Sequence, residues 1–125
     1  MTGLTLLLRQ IHPNFVQNGF ASSVAFRPNE TDAGLMSVYD NDLITAEAAW
    51  MHYTSILFKK SSGVTALSVE ECLAEKLPPR PDTRPFPEHA VIDFTGVVEK
   101  TWRGKSKNLH AKALARGWSY FAELA

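Results

Sequence analysis

His89-Ala90-Val91-Ile92-Asp93-Phe94 and Leu35-Met36-Ser37-Val38-Tyr39-Asp40 are the two stretches whose reading decides the fold. Side chains alternate across a strand. Ala90, Ile92 and Phe94 therefore form one wholly apolar face, and His89, Val91 and Asp93 form the other. In the second stretch Met36 and Val38 share a face, with Leu35, Ser37 and Tyr39 opposite. Both read as strands that bury one face against a core.

Working outward, Leu4 to Ile11 reads as a first strand, stopped by His12-Pro13 because proline cannot donate to a ladder. Ser22 to Phe26, closed by Arg27-Pro28, reads as another, and Asn29 to Gly34 is turn chemistry. Thr45 is an N-cap signal with Glu47 in the first turn. The helix it starts is expected from about Ala46 to Lys60, with Ala46, Trp50, Tyr53 and Leu57 at helical spacing and its packing made through Trp50 and Tyr53. Val64 to Leu67 is a short apolar strand. Ser68-Val69-Glu70-Glu71 fits a capping box ahead of a short helix, Val69 to Lys76.

Residues 77–87 hold five of the chain's seven prolines and read as a stiff extended connection. Lys105 to Arg116 is a second long helix, with a start as early as Val98 and with Gly117 after its end. Trp118 to Leu124 reads as a closing strand. The irregular mixture predicts a single α+β domain spanning 1–125, an antiparallel or mixed sheet of about five strands with two main helices packed on one face.

Composition sets limits on function. The 125 residues match one domain and carry 13 basic and 13 acidic side chains, so no global field attracts nucleic acid or an anionic membrane. One cysteine, Cys72, rules out an internal disulfide. The apolar stretch Leu4 to Leu8 is too short for a signal peptide and no run reaches membrane length, so the chain is expected to be cytoplasmic, with no membrane partner.

The blocks Ser22-Ser23-Val24-Ala25-Phe26, Leu35-Met36-Ser37-Val38 and His89-Ala90-Val91-Ile92 resemble those of a loose group of small bacterial proteins. Ser-x-Ala-Phe, Leu-Ser-Val and His-Ala-x-Ile recur there in this order. Met36 interrupts the second block. The resemblance implies a bacterial source and a self-contained domain. The group has no established activity, so it assigns no residue a role.

No phosphate loop, dinucleotide fingerprint, paired Cys-x-x-Cys, zinc helix or nucleophile elbow is present. Cys72 lies beside Glu70, Glu71 and Glu75, which raise rather than lower a thiol pKa. His12, His52, His89 and His110 lack ligand spacing, so no metal and no cofactor is expected. The arrangement with most chemical promise is His89 and Asp93 on one strand face, with His12 and Ser22 at neighbouring strand ends and Ser23 and Ser37 nearby. If they converge, His89 is a general base, Asp93 its orienter and Ser22 a polar contact.

Charge is segregated. Residues 97–125 hold six cations and two carboxylates, a net of +4, and residues 1–96 a net of −4. Lys105, Lys112 and Arg116, with Asn108 between, form one stripe of the last helix. That stripe is a possible phosphate-contacting face, although nucleic acid is disfavoured as a partner by the acidic remainder. Opposed charged faces instead favour a protein partner or self-association into a homo-oligomer. The leading expectation is a non-enzymatic protein-interaction module of accessory, antitoxin or immunity type. The alternative is a small enzyme or ligand-binding protein built on the His/Ser/Asp pocket.

Overall fold

In the computed structural model, which describes residues 1–122, the chain forms one six-stranded antiparallel sheet with helices on both faces. The strands are β1 (Leu6–Ile11), β2 (Val16–Gln17), β3 (Phe20–Ala21), β4 (Leu35–Asp40), β5 (Gly63–Ser68), β6 (Pro79–Pro81), β7 (His89–Asp93) and β8 (Tyr120–Phe121). Their order across the main sheet is β6-β7-β4-β1-β5-β8, and β2 and β3 form a separate ribbon. The helices are α1 (Ala46–Met51), α2 (Val69–Ala74) and α3 (Trp102–Arg116).

The two deciding stretches fold as read. β4 pairs β7 with Met36 opposite Ile92, Val38 opposite Ala90 and Tyr39 opposite His89. Met36, Val38, Ala90 and Ile92 thus point into one core, which Leu7, Ile11, Leu67 and Phe94 extend and which Leu109 and Ala113 of α3 and Cys72 of α2 cover. The opposite face carries Leu8, Tyr39, Val64 and Ala66 under Ala49 of α1, with Trp50 and Tyr53 packed against them. Trp50 packs against this face as expected but is half-buried and not part of the core itself, and its indole N–H donates to the Ser61 carbonyl at 2.9 Å.

Helices on one face only was the expectation, and the structure corrects it. β1 is the reason. Leu7 is 0% and Leu8 1% exposed, so consecutive residues are buried on opposite faces, as in a strand covered on both sides.

Three further corrections concern individual elements. Ser22–Phe26 is not a strand: Ser23–Phe26 coils into a 3₁₀ turn that buries Ala25 and Phe26. The first helix stops well short of Lys60. Beyond Met51 it loosens into a π turn over His52–Ile56, and Phe58 then takes the left-handed conformation at φ 55°. The sheet gains a strand within the proline-rich segment, where Pro79–Pro81 pairs with β7 at the sheet edge, the place where a strand tolerates proline. The closing strand covers Tyr120–Phe121, and the Glu123–Leu124 part of that expectation lies outside the described residues.

Both capping signals hold. Thr45 accepts from the Ala48 N–H, and Ser68 with Glu71 forms the reciprocal box. Glu71 also pairs with Arg116 of α3 at 2.9 Å. Burial pushes the Glu71 pKa up, but the hydrogen bonds from Arg116 and Ser68 outweigh it and hold it below the ordinary value. A carboxylate with a depressed folded-state pKa stabilises the fold above its unfolded pKa, and that contribution is lost as pH falls through the folded value. Glu71→Gln is therefore expected to flatten the acid limb of a stability-against-pH curve below about pH 4.5. Identical limbs for the two proteins in urea titrations would refute the coupling.

Candidate functional site

β1 and β4 pair only at Leu7–Asp40 and Leu8–Tyr39, although both strands continue past that point. Arg9 stands at the parting. Its guanidinium donates to the carbonyls of Ala25 (Nε, 2.8 Å), Ser37 (Nη1, 2.8 Å) and Arg27 (Nη2, 3.4 Å). A side chain thus takes the Ser37 carbonyl near the strand that would otherwise have paired with it. Burial pulls the Arg9 pKa down, against the opposing pull of Tyr53 and Asp32.

The parted strands open a cleft of about 360 Å³ on the α1 face of the sheet. Gln10, Ser37, Tyr39, Tyr53, Phe86 and His89 contribute to its wall, with Lys59 and Asp32 among its charged groups. By continuation of the register, Gln10 and Ser37 lie on the same sheet face on either side of the parting. The Gln10 amide has both polar atoms buried, and among the described residues neither has a hydrogen-bond partner.

His89 sits at the start of β7, 9% exposed, in two hydrogen bonds. Nδ1 lies 2.8 Å from the Asp82 carbonyl oxygen and Nε2 3.2 Å from the Ser37 hydroxyl. A carbonyl only accepts, so Nδ1 carries a proton, and in the neutral tautomer this leaves Nε2 as the acceptor for Ser37. Ser37 itself is exposed. The Asp82 carboxylate stands 3.8 Å from Nδ1 and is tied to Arg84 at 3.0 Å. The hydrogen bond from Arg84 holds the Asp82 carboxyl below its ordinary pKa.

Phe86, from the proline-rich segment, packs its ring against His52, Tyr39 and His89 with centroids 4.6, 5.0 and 5.2 Å away. Tyr39 Oη and His52 Nδ1 share a hydrogen bond of 2.7 Å, which orients the first ring of the π turn. Burial, followed by the fields of Tyr53 and Glu88, keeps the Tyr39 hydroxyl protonated well above its usual range. Burial likewise raises Tyr53, although Arg9 opposes it. The cleft thus combines aromatic walls, neutral hydroxyls, one imidazole and one unpartnered amide.

Of the residues expected to converge, His89 and Ser37 reach this cleft. His12 caps the 3₁₀ turn Pro13–Phe15, its Nδ1 accepting from the Asn14 N–H at 3.0 Å. Ser22 precedes the turn that buries Phe26 and makes no capping bond through its side chain. Asp93 points elsewhere along its strand. Its carboxylate takes hydrogen bonds from Thr95 and from Arg80 at 2.6 Å. Burial raises the Asp93 pKa, and those bonds more than reverse it. The groups that His89 meets are the Ser37 hydroxyl and the Asp82 main-chain carbonyl, in place of Ser22 and Asp93.

The basic stripe is largely spoken for within the fold. Lys105 donates to the Glu75 carbonyl at 2.7 Å, Asn108 to the Glu75 carboxylate at 2.9 Å, and Arg116 to the Ala66 carbonyl and to Glu71. Lys112 lines a surface hollow together with Arg116, Glu70 and Glu71. The stripe is therefore a seam between α3 and the acidic α2 and not a continuous phosphate-contacting line. Cys72 in α2 is fully buried, and burial, reinforced by Glu71 and Glu75, pushes its thiol up to about 12.

Among the described residues, no three His, Cys, Asp or Glu side chains gather to hold a metal ion, and no helix is long and apolar enough to cross a membrane. No family model, curated protein or solved structure matches the chain. The geometry alone thus bears on what the cleft does.

Proposed function

We propose that this domain binds a small organic molecule bearing a carbonyl group in the cleft between β1, β4 and Phe86. The observation that carries this reading is the Gln10 amide, whose buried donor and acceptor both lack partners at the border of the cleft. An unpaired buried polar group costs about 1–3 kcal/mol. A ligand that offers an acceptor and a donor offsets the cost once the amide turns into the cleft it borders. The cleft volume falls within the roughly 300–1,000 Å³ of small-molecule sites, and the mixture of aromatic walls with few convergent polar groups is of the same kind.

Gln10→Met keeps the volume and removes the amide. It is expected to leave stability unchanged or to raise it by about 1 kcal/mol, while weakening by tenfold or more the binding of carbonyl fragments selected in a nuclear magnetic resonance screen. A variant that is less stable than wild type and binds the same fragments as well would remove the basis of this reading.

A protein partner is the second reading, and a different observation favours it. Phe58 is 85% exposed and Ile56 64% exposed, at the end of the π turn that borders the cleft. Large apolar side chains held in solvent next to a fixed backbone kink are anchors for a complementary surface. The charge segregation seen in the sequence lends this reading less support than expected, because Lys105 and Arg116 are engaged by α2.

A further inference from the structure

We infer that Ser37 is a nucleophile activated by His89, and that the cleft accepts a small carboxylic ester as an acyl donor. The inference rests on the carbonyl-binding cleft proposed above and adds the reaction.

Three features of the site support it. First, the nucleophile and base are already in contact: Ser37 Oγ donates to His89 Nε2 at 3.2 Å, within the looser range expected without substrate. Second, the tautomer is fixed. Nδ1–H donates to the Asp82 carbonyl at 2.8 Å, so Nε2 is the basic nitrogen. The Asp82 carboxylate, 3.8 Å from Nδ1, faces the positive charge that develops when Nε2 takes a proton. Third, hydroxyl access and backbone rigidity coincide. Ser37 is exposed on a strand whose neighbours Met36 and Val38 are buried, and Arg9 clamps its carbonyl.

Gln10 completes the arrangement. Its unpartnered amide N–H lies on the same sheet face as Ser37, across the parting of the strands, where a donor can meet the oxyanion of a tetrahedral intermediate. The chain carries no nucleophile elbow because the hydroxyl is presented by a strand with one edge opened and not by a strand–helix turn.

The step balances without any further reagent. Ser37 Oγ forms a bond to the ester carbonyl carbon as its proton moves to His89 Nε2. Collapse of the tetrahedral intermediate breaks the carbon–oxygen bond to the alcohol, which leaves with the proton from Nε2. Water then attacks the acyl-Ser37 carbonyl, giving its proton to Nε2. The carboxylic acid departs, and the Ser37 hydroxyl is restored by the same proton.

An alkyl fluorophosphonate tests this directly, because Ser37 Oγ would displace fluoride and remain phosphonylated. Intact-mass spectrometry of the folded full chain is expected to show one adduct, and peptide mapping is expected to place it on Ser37. Ser37→Ala abolishes it, Ser119→Ala leaves it unchanged, and His89→Gln slows it by about 100-fold or more. Absence of a Ser37 adduct on the wild-type chain overturns the inference whether or not the His89 variant folds, and so does equal labelling of a folded His89→Gln protein. The two proposals fail separately. Fragment binding without labelling removes the nucleophile and leaves the ligand cleft, whereas labelling of Ser37 in a protein whose Gln10→Met variant binds fragments undiminished removes the role of Gln10 and leaves the nucleophile.

Discussion

Arg9→Met is expected to destabilise the domain by roughly 3–5 kcal/mol, among the largest single-residue effects in this chain. The guanidinium donates to three main-chain carbonyls, those of Ala25, Ser37 and Arg27. Hydrogen bonds from a charged donor contribute about 1.5–3 kcal/mol each. Methionine fills much of the same volume but leaves all three oxygens without that donor. Some of the loss is recovered by water entering through the cleft, which keeps the total below the simple sum of bonds.

Arg9→Lys retains the charge but presents a single ammonium where a planar fork reaches three acceptors, so it should remain closer to methionine than to wild type. Urea denaturation of the two variants measures this. A loss below about 1 kcal/mol for Arg9→Met would show that the parted strands close and pair in its absence. In that event the cleft is an opening that Arg9 props, and fragment binding should disappear with it.

This arginine marks the limit of what the sequence discloses. Alternation in residues 35–40 and 89–93 gave the two strands, their core faces and the placement of His89 and Ser37 on one side, because period-two patterning is written locally. The caps at Thr45 and Ser68 were legible for the same reason. The leucine run of β1 contained a further signal that alternation obscures. A strand apolar on successive residues is covered on both faces, and that pattern implied helices on each side. Asn18-Gly19, both with positive φ between β2 and β3, is a strong hairpin signal in the sequence and explains why the chain turns before Ser22.

What no local pattern carries is the set of partners brought from afar. Asp82 comes to His89 because residues 79–81 join the sheet edge and the following loop folds back over β7. Phe86 reaches Tyr39 and His52 by the same route. The expectation for Asp93 respected the strand's alternation but not the pull of Arg80 and Thr95, which a neighbouring edge strand and a turn supply. Likewise, the cations of α3 read as a free stripe in the sequence, because their engagement depends on α2 lying alongside.

Phe26→Ala is expected to cost about 3–5 kcal/mol and to lower the melting temperature by about 10 °C or more. The reading of Ser22–Phe26 as a strand predicts a different outcome, since alternation would place Phe26 and Val24 on one face and give the two residues similar burial. In the 3₁₀ turn Phe26 is 0% exposed and Val24 41% exposed. The Phe26 ring packs within the core beneath α3, its centroid 5.9 Å from that of His110, and its own carbonyl accepts from the buried Ser106 hydroxyl at 2.8 Å. Truncation therefore empties a cavity at the junction of α3 with the sheet, and it does so beside the backbone that Arg9 grips through Ala25 and Arg27. Val24→Ala, by contrast, should stay within about 0.5 kcal/mol of wild type, as surface changes do. Calorimetry of the two variants separates the readings. Comparable losses at positions 24 and 26 would favour a strand, whereas a large loss at Phe26 alone identifies the turn as the wedge that holds α3 on the sheet and keeps the Ala25 and Arg27 carbonyls in place for Arg9.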